Sequence, residues 1–271
     1  MTAPAAEPIA PADEGISARA IVGAAVRMVW QHPRQVVLPL MVVEIPVAIV
    51  LAIVSTVLFL TAFQDEPFVL FNEIDRDVAP GLAFMLIAVV AITSLFGQVS
   101  RAATVVAVAS MAAGKPKTLA QTLDPAFTRM GALVVQAVVL AAVAGALVLT
   151  LVGIVALPYV LARIGVATEV MLLEEKKPMA AFGRSWLMTR GHVLKFLAAM
   201  ILTVLVALGP IIAASLFQLA VTGSRTQHVM MFGLTSVAQA VLLAPVLALI
   251  TTTTTLFYLK IKARDNGRRT A

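Results

Sequence analysis

Cysteine is absent from all 271 residues, so disulfides and thiolate metal sites are excluded outright. Histidine is nearly so: His32, His192 and His228 lie far apart, and none belongs to the H-E-x-x-H pattern that holds zinc on a helix. Charge is scarce too. Charged residues make up 13% of the chain, about half the ~25% of a typical soluble domain, while 61% are hydrophobic and the mean hydropathy is +0.99. One globular core of this length cannot hide so much aliphatic mass. There is no Gly-rich phosphate loop ending in Lys-Ser/Thr and no G-x-S-x-G elbow. Glu174 and Glu175 are adjacent, about 100° apart on a helix, which argues against a catalytic dyad. No catalytic residue, metal ligand or cofactor site is expected.

Long apolar runs are what the chain has instead. A membrane span needs roughly 20 consecutive apolar residues, and six runs qualify: 36–63, 81–113, 131–153, 154–173, 193–220 and 229–258. The expected fold class is therefore an all-α membrane protein of six transmembrane helices, with short amphipathic interfacial helices on the cytoplasmic side. The second run would make about 50 Å of helix against a hydrocarbon layer of ~30 Å, so it must tilt or project. Residues 1–15 have neither the basic start nor the apolar core of a signal peptide, and are expected to be a disordered cytoplasmic tail. Residues 16–262 read as a single six-span domain and 263–271 as a basic C-terminal tail.

A net charge of +6 and a pI near 10.1 would suggest nucleic acid as partner in a soluble chain. Here the basic residues flank apolar runs, so topological anchoring is expected and no nucleic acid. Seventeen Lys and Arg lie before the first run, in or near the second and fourth connections, and after the sixth; the other connections hold only Arg76 and Arg225. By the positive-inside rule both termini are expected to face the cytoplasm.

Three polar, amphipathic segments, starting near Ile16, Lys117 and Pro178, each precede a pair of runs, a threefold pattern without residue identity. In the first, Arg19, Gly23, Arg27 and Gln31 share one face, opposite Val22, Val26 and Val29 with Trp30 beside them. That describes either a helix in the headgroup layer or the first turns of span one. In the second, Leu119, Leu123, Phe127 and Met130 share a face.

Four charges inside the runs stand out, since burying one in lipid costs at least ~2.5 kcal/mol. Glu44 and Arg101 fall at similar depth on antiparallel neighbours, so either they pair or each snorkels to the headgroups. Arg163 lies near the middle of span four. Glu169, Glu44 or the backbone near Pro46 would satisfy it, as an interhelical bond or as part of a substrate site. Pro46, Pro210 and Pro245 free carbonyls at mid-depth, as packing features or as cavity lining. The threonines at 251–255 can bond back to their own helix and need not line a pore.

The longest densely polar passage between two apolar runs is 169–195, E-V-M-L-L-E-E-K-K-P-M-A-A-F-G-R-S-W-L-M-T-R-G-H-V-L-K. Met179, Phe182 and Trp186 form an i, i+3, i+7 stripe, with Arg184, Ser185, Thr189 and His192 around it. Gly191 suits a helix end. The segment reads either as a site where Arg184 and Arg190 hold a phospholipid headgroup or phosphorylated ligand, or as an interfacial helix anchored by ordinary charge attraction.

Within this passage Glu174, Pro178, Ala181, Arg184, Ser185, Trp186, Thr189, Arg190 and Gly191 form a pattern that resembles the membrane domain of glycerophosphoryl diester phosphodiesterases and related uncharacterised bacterial multi-pass proteins; Met188 stands where Leu is usual. The approach to span one is also similar. So is the ending P-V-L-A-L-I-T-T-T-T-T-L-F-Y-L-K-I-K-A-R-D-N-G, with Pro245, Tyr258, Lys262, Arg264 and Gly267 in register and Lys260 where Asp is frequent. The resemblance implies a six-span bacterial membrane protein. It does not imply phosphodiesterase activity, which in the fused proteins resides in a separate soluble barrel; the runs here leave no length for one. The expected function is that of a non-catalytic membrane protein. It binds membrane phospholipids, or assembles with a membrane-protein partner or a second copy, through Glu174, Arg184, Ser185, Trp186, Arg190 and Gly191. The runner-up is a small transporter or lipid-translocating protein with its site near Arg163.

Overall fold

The structure, a computed structural model, describes residues 16–62, 79–221 and 228–270. The expected tail at 1–15, nearly all of the acidic connection after the first run, and the connection at 222–227 lie outside the described residues. Every regular element described is an α-helix: α1 Ala18–Gln31, α2 Pro33–Val36, α3 Leu38–Ala62, α4 Ala79–Ala112, α5 Leu119–Thr128, α6 Met130–Val148, α7 Leu151–Ile164, α8 Ala167–Leu173, α9 Pro178–Met188, α10 Val193–Val221 and α11 His228–Thr270. Among the described residues five stretches are long and apolar enough to cross a membrane: Ala91–Ala112, Met130–Val148, Gly153–Leu173, Val193–Phe217 and Val237–Asn266. Leu38–Val54 is a shorter apolar helix. A short helix (α1, α5, α9) precedes each pair of long ones, as the threefold pattern anticipates.

The chain breaks where local chemistry requires it. His32 precedes Pro33, whose ring disfavours helix in the residue before it, and α1 therefore ends there instead of running into α3. α1 turns its stripe of Ile21, Val22, Ala25 and Val29 inward against α10 and α11. Of the face expected at Val22, Val26 and Val29, Val22 and Val29 are thus buried in the bundle and Val26 half-buried, while Trp30, 81% exposed, stays outside among the exposed Arg27 and Arg34. α6 stops at Val148, earlier than the expected 153. Thr150 is extended and its hydroxyl accepts from the Gly153 amide at 3.0 Å, capping α7. Gly153 thus sits inside the first turn of α7, where a Cβ would fall on the carbonyl oxygen of Leu147.

Span four is not one helix but two, α7 and α8, with a turn at 165–166. Gly165 makes room for α10: a Cβ there would stand 2.6 Å from Cζ of Phe196, whose ring is held edge-on to Phe257 at 5.0 Å. Gly165→Ala is expected to destabilise the protein by about 1–3 kcal/mol through overpacking. An unfolding midpoint in detergent equal to wild type would show that Phe196 yields without cost.

α11 runs along the middle of the bundle, against α1, α3, α4 and α10, and buries Phe257 and Tyr258 completely. The hydroxyls of Thr252, Thr253, Thr254 and Thr255 bond back to carbonyls of their own helix at 2.7 to 2.9 Å, as expected. The helix continues through the basic ending to Thr270. Pro46, Pro210 and Pro245 all fall on exposed positions beside exposed aliphatic residues such as Val42, Val206 and Val241, so they belong to the outer surface and not to an interior cavity.

Candidate functional site

The polar chemistry collects at the end of the bundle where α4, α8 and α11 meet the short helices. Its inner layer is built on α4, α8 and α11. Glu169 is fully buried; its Oε1 lies 3.5 Å from Nη2 of Arg101 and accepts a 2.6 Å hydrogen bond from Thr254. Arg101 also donates to the Gly165 carbonyl at 3.1 Å, which the break between α7 and α8 leaves available. Glu44 instead accepts from Ser100 at 2.7 Å. The Glu44–Arg101 pair is therefore not formed, and Arg101 does not merely snorkel. Glu44 meets the residue next to Arg101. Consecutive residues differ by about 100° around a helix, however, so Ser100 faces α3 while Arg101 faces α8. Beside this layer Gln136 of α6 donates to Thr168 at 3.0 Å.

The outer layer is centred on Glu174, just past the end of α8. Its Oε1 accepts from the Tyr258 hydroxyl at 3.0 Å and lies 3.8 Å from Nζ of Lys262. Its Oε2 lies 3.6 Å from Nε of Arg184 and 4.0 Å from Nζ of Lys176. Lys262 in turn donates to the Tyr258 oxygen at 3.0 Å, so that hydroxyl both gives and receives. Arg184 extends its other edge to Asp265, with Nη2 to Oδ2 at 2.9 Å. Tyr258, Lys262 and Asp265 are spaced i, i+4, i+7, which stacks them on one face of α11. The polar segment is thereby tied to α11 by three of its residues. Next to it Glu175 takes a left-handed φ of 55°, rare for a non-glycine residue, and pairs with Arg129 at 3.5 Å. Glu175 is 79% exposed along its side chain, so this pair contributes little. The firmer bond of Arg129 is the 2.7 Å one to the Met171 carbonyl near the end of α8.

α9 starts with Pro178 at its first helical position, which suits the missing amide. Ala181, Ser185 and Met188 are its buried side. Ser185 and Thr189 both donate to the Arg163 carbonyl, at 2.9 and 3.1 Å. Gly191 has a φ of +82°, the left-handed conformation expected at a helix end. Met179, Leu187 and Arg190 are exposed, and Trp186 partly so. Arg163 lies in the last turn of α7, not mid-span in an unbroken helix. None of its three anticipated partners reaches it. Its guanidinium is stacked 4.4 Å from the Trp186 ring centre and 5.8 Å from that of Tyr159.

No family model, curated protein or solved structure matches the chain. Its candidate site therefore rests on its own geometry. That geometry joins Glu174 to Arg184, and Ser185 and Trp186 to Arg163, but leaves Arg190 and Gly191 outside both layers. Among the described residues no three of His, Asp and Glu come together as metal ligands. The reading by residue overlooked Asp265, Thr254 and Arg129. The first had a signal, its i+7 spacing from Tyr258, and the other two partner backbone or a fully buried acid that only packing reveals.

Proposed function

We propose that this chain is a six-span, non-catalytic protein of the bacterial cytoplasmic membrane, with both termini cytoplasmic, that engages anionic phospholipid headgroups through the outer side of residues 174–192. The carrying observation is the division of labour within α9. Ala181, Ser185, Met188 and Arg184 hold it to the bundle, while Leu187 (63% exposed) points outward, and the exposed Arg190 in the following turn and Leu194 (82% exposed) and Lys195 in the first turn of α10 continue that exposed surface. Apolar residues next to cations suit a helix at the headgroup boundary. The strong bias of Lys and Arg towards one side supports the orientation. The R-S-W-x-x-T-R-G core supports membership in the same family as the membrane domain of glycerophosphoryl diester phosphodiesterases.

Each cation near an anionic surface contributes about 1 kcal/mol, so Arg190→Gln with Lys195→Gln should weaken retention of phosphatidylglycerol by roughly thirty-fold. Native mass spectrometry of protein extracted gently from its membrane reads this directly. Retention equal to wild type counts against the proposal, and a co-purifying protein lost in the variant would favour an assembly surface. Burial of Arg163 under Trp186 favours a packed scaffold over the transporter reading, which needs an open polar path to that residue.

A further inference from the structure

We infer that Arg163, Tyr159 and Trp186 form a binding site for one phosphate group, an inference that rests on the reading of α9 as a helix at the membrane surface. Arg163 is only 6% exposed. Its buried Nε has no hydrogen-bond partner among the described residues. The nearest carboxylates in sequence are engaged elsewhere, Glu169 by Arg101 and Thr254, Glu174 by Tyr258 and Arg184. What the cation does have is two ring faces, and stacking on rings recovers only part of the cost of desolvating an ion. An anion supplies the remainder.

The surroundings select which anion. The Tyr159 and Trp186 rings meet edge to face with centres 6.2 Å apart, and both are partly exposed, so turning one ring opens Arg163 to the outside. The α7 surface leading to them is apolar; Val155, one turn before Tyr159, is 80% exposed. A ligand arriving along that surface carries apolar chains and an anionic head. The planar guanidinium fork matches phosphate oxygens in a bidentate way. The bonds from Ser185 and Thr189 to the Arg163 carbonyl fix the fork's base at the crossing of α7 and α9. The phosphate is supplied either by a phospholipid headgroup or by free phosphate.

Tryptophan usage makes the test clean. The chain has two, and Trp30 is exposed, so Trp30→Phe leaves Trp186 as sole reporter at little cost to the fold. In detergent micelles, Trp186 emission should change saturably with phosphatidylglycerol and not with diacylglycerol, which lacks the phosphate. Saturation by inorganic phosphate alone would keep the site and assign it to the free anion. Arg163→Lys, which keeps the charge and loses the fork, should raise the midpoint at least ten-fold. An equal response to diacylglycerol, or no response to either phosphate source, overturns the inference. If the lysine variant does not fold, the comparison of these ligands on the parent chain still decides. Repeating the titration with Arg190→Gln and Lys195→Gln separates the two sites. A response that survives belongs to Arg163 whatever becomes of the outer surface of α9; a response that vanishes belongs to that surface and overturns this inference.

Discussion

Arg101→Gln is expected to lower the stability of the bundle by about 3–5 kcal/mol, the usual consequence of stranding one member of a buried ion pair. Glu169 is fully buried and, without Arg101, keeps only the Thr254 hydroxyl. Its other oxygen, Oε2, has no hydrogen-bond partner among the described residues to take over. Glu169→Gln should cost less, because Arg101 is partly exposed and retains the Gly165 carbonyl. In the double variant most of the Arg101 penalty should disappear, a coupling of more than 1 kcal/mol between contacting residues. Glu44→Gln should instead add independently to Arg101→Gln, since its partner is Ser100. Denaturant titration in detergent measures all of these. Coupling of Arg101 to Glu44 and additivity with Glu169 would reverse the assignment.

Arg184→Gln is expected to cost about 2–3 kcal/mol, less than a fully buried pair because its side chain retains some solvent contact. The loss should be local. Arg184 bridges Glu174 and Asp265, so its removal unfastens α9 from α11 while the layer of Arg101, Glu169 and Thr254 stays whole. Hydrogen exchange should therefore accelerate over Pro178–Met188 and not along the buried part of α11. Asp265→Asn should give a weaker version of the same pattern. Faster exchange throughout, or none at all, would mean that Arg184 is not a fastening of this helix.

Much of this architecture was legible because hydrophobic length is a robust signal. The second run was expected at 81–113 and α4 spans Ala79–Ala112; α10 begins at Val193 as expected. The errors arose where tertiary packing decides. Gly165 ends α7 inside an apolar run, and the neighbour that requires a glycine, Phe196, is thirty-one residues away. The apolar stripe of α1 looks identical whether it meets lipid or α11. Charges at matched depth suggested Glu44 with Arg101, but the rotation of α4 about its own axis, which puts Ser100 and not Arg101 against Glu44, is set by its whole packed surface. The motif residues split for a similar reason: Arg184 and Arg190 read alike in sequence, yet helix geometry turns the first towards Glu174 and Asp265 and leaves the second exposed.

The lack of cysteine permits single-cysteine variants throughout the chain, and this gives the most direct test of the surface proposed for α9 and the start of α10. Spin labels at Met179→Cys, Leu187→Cys and Leu194→Cys, in protein reconstituted into phosphatidylglycerol-containing bilayers, report whether each position meets lipid or water. Oxygen, which partitions into the acyl layer, should relax the labels at 187 and 194 more strongly than a water-soluble nickel chelate. A label at Ala181→Cys, on the buried side, should respond to neither. Strong nickel relaxation at 187 and 194 would place the end of α9 and the start of α10 in water and contradict the account, and equally weak relaxation by both agents there would show a protein partner covering the surface instead of lipid.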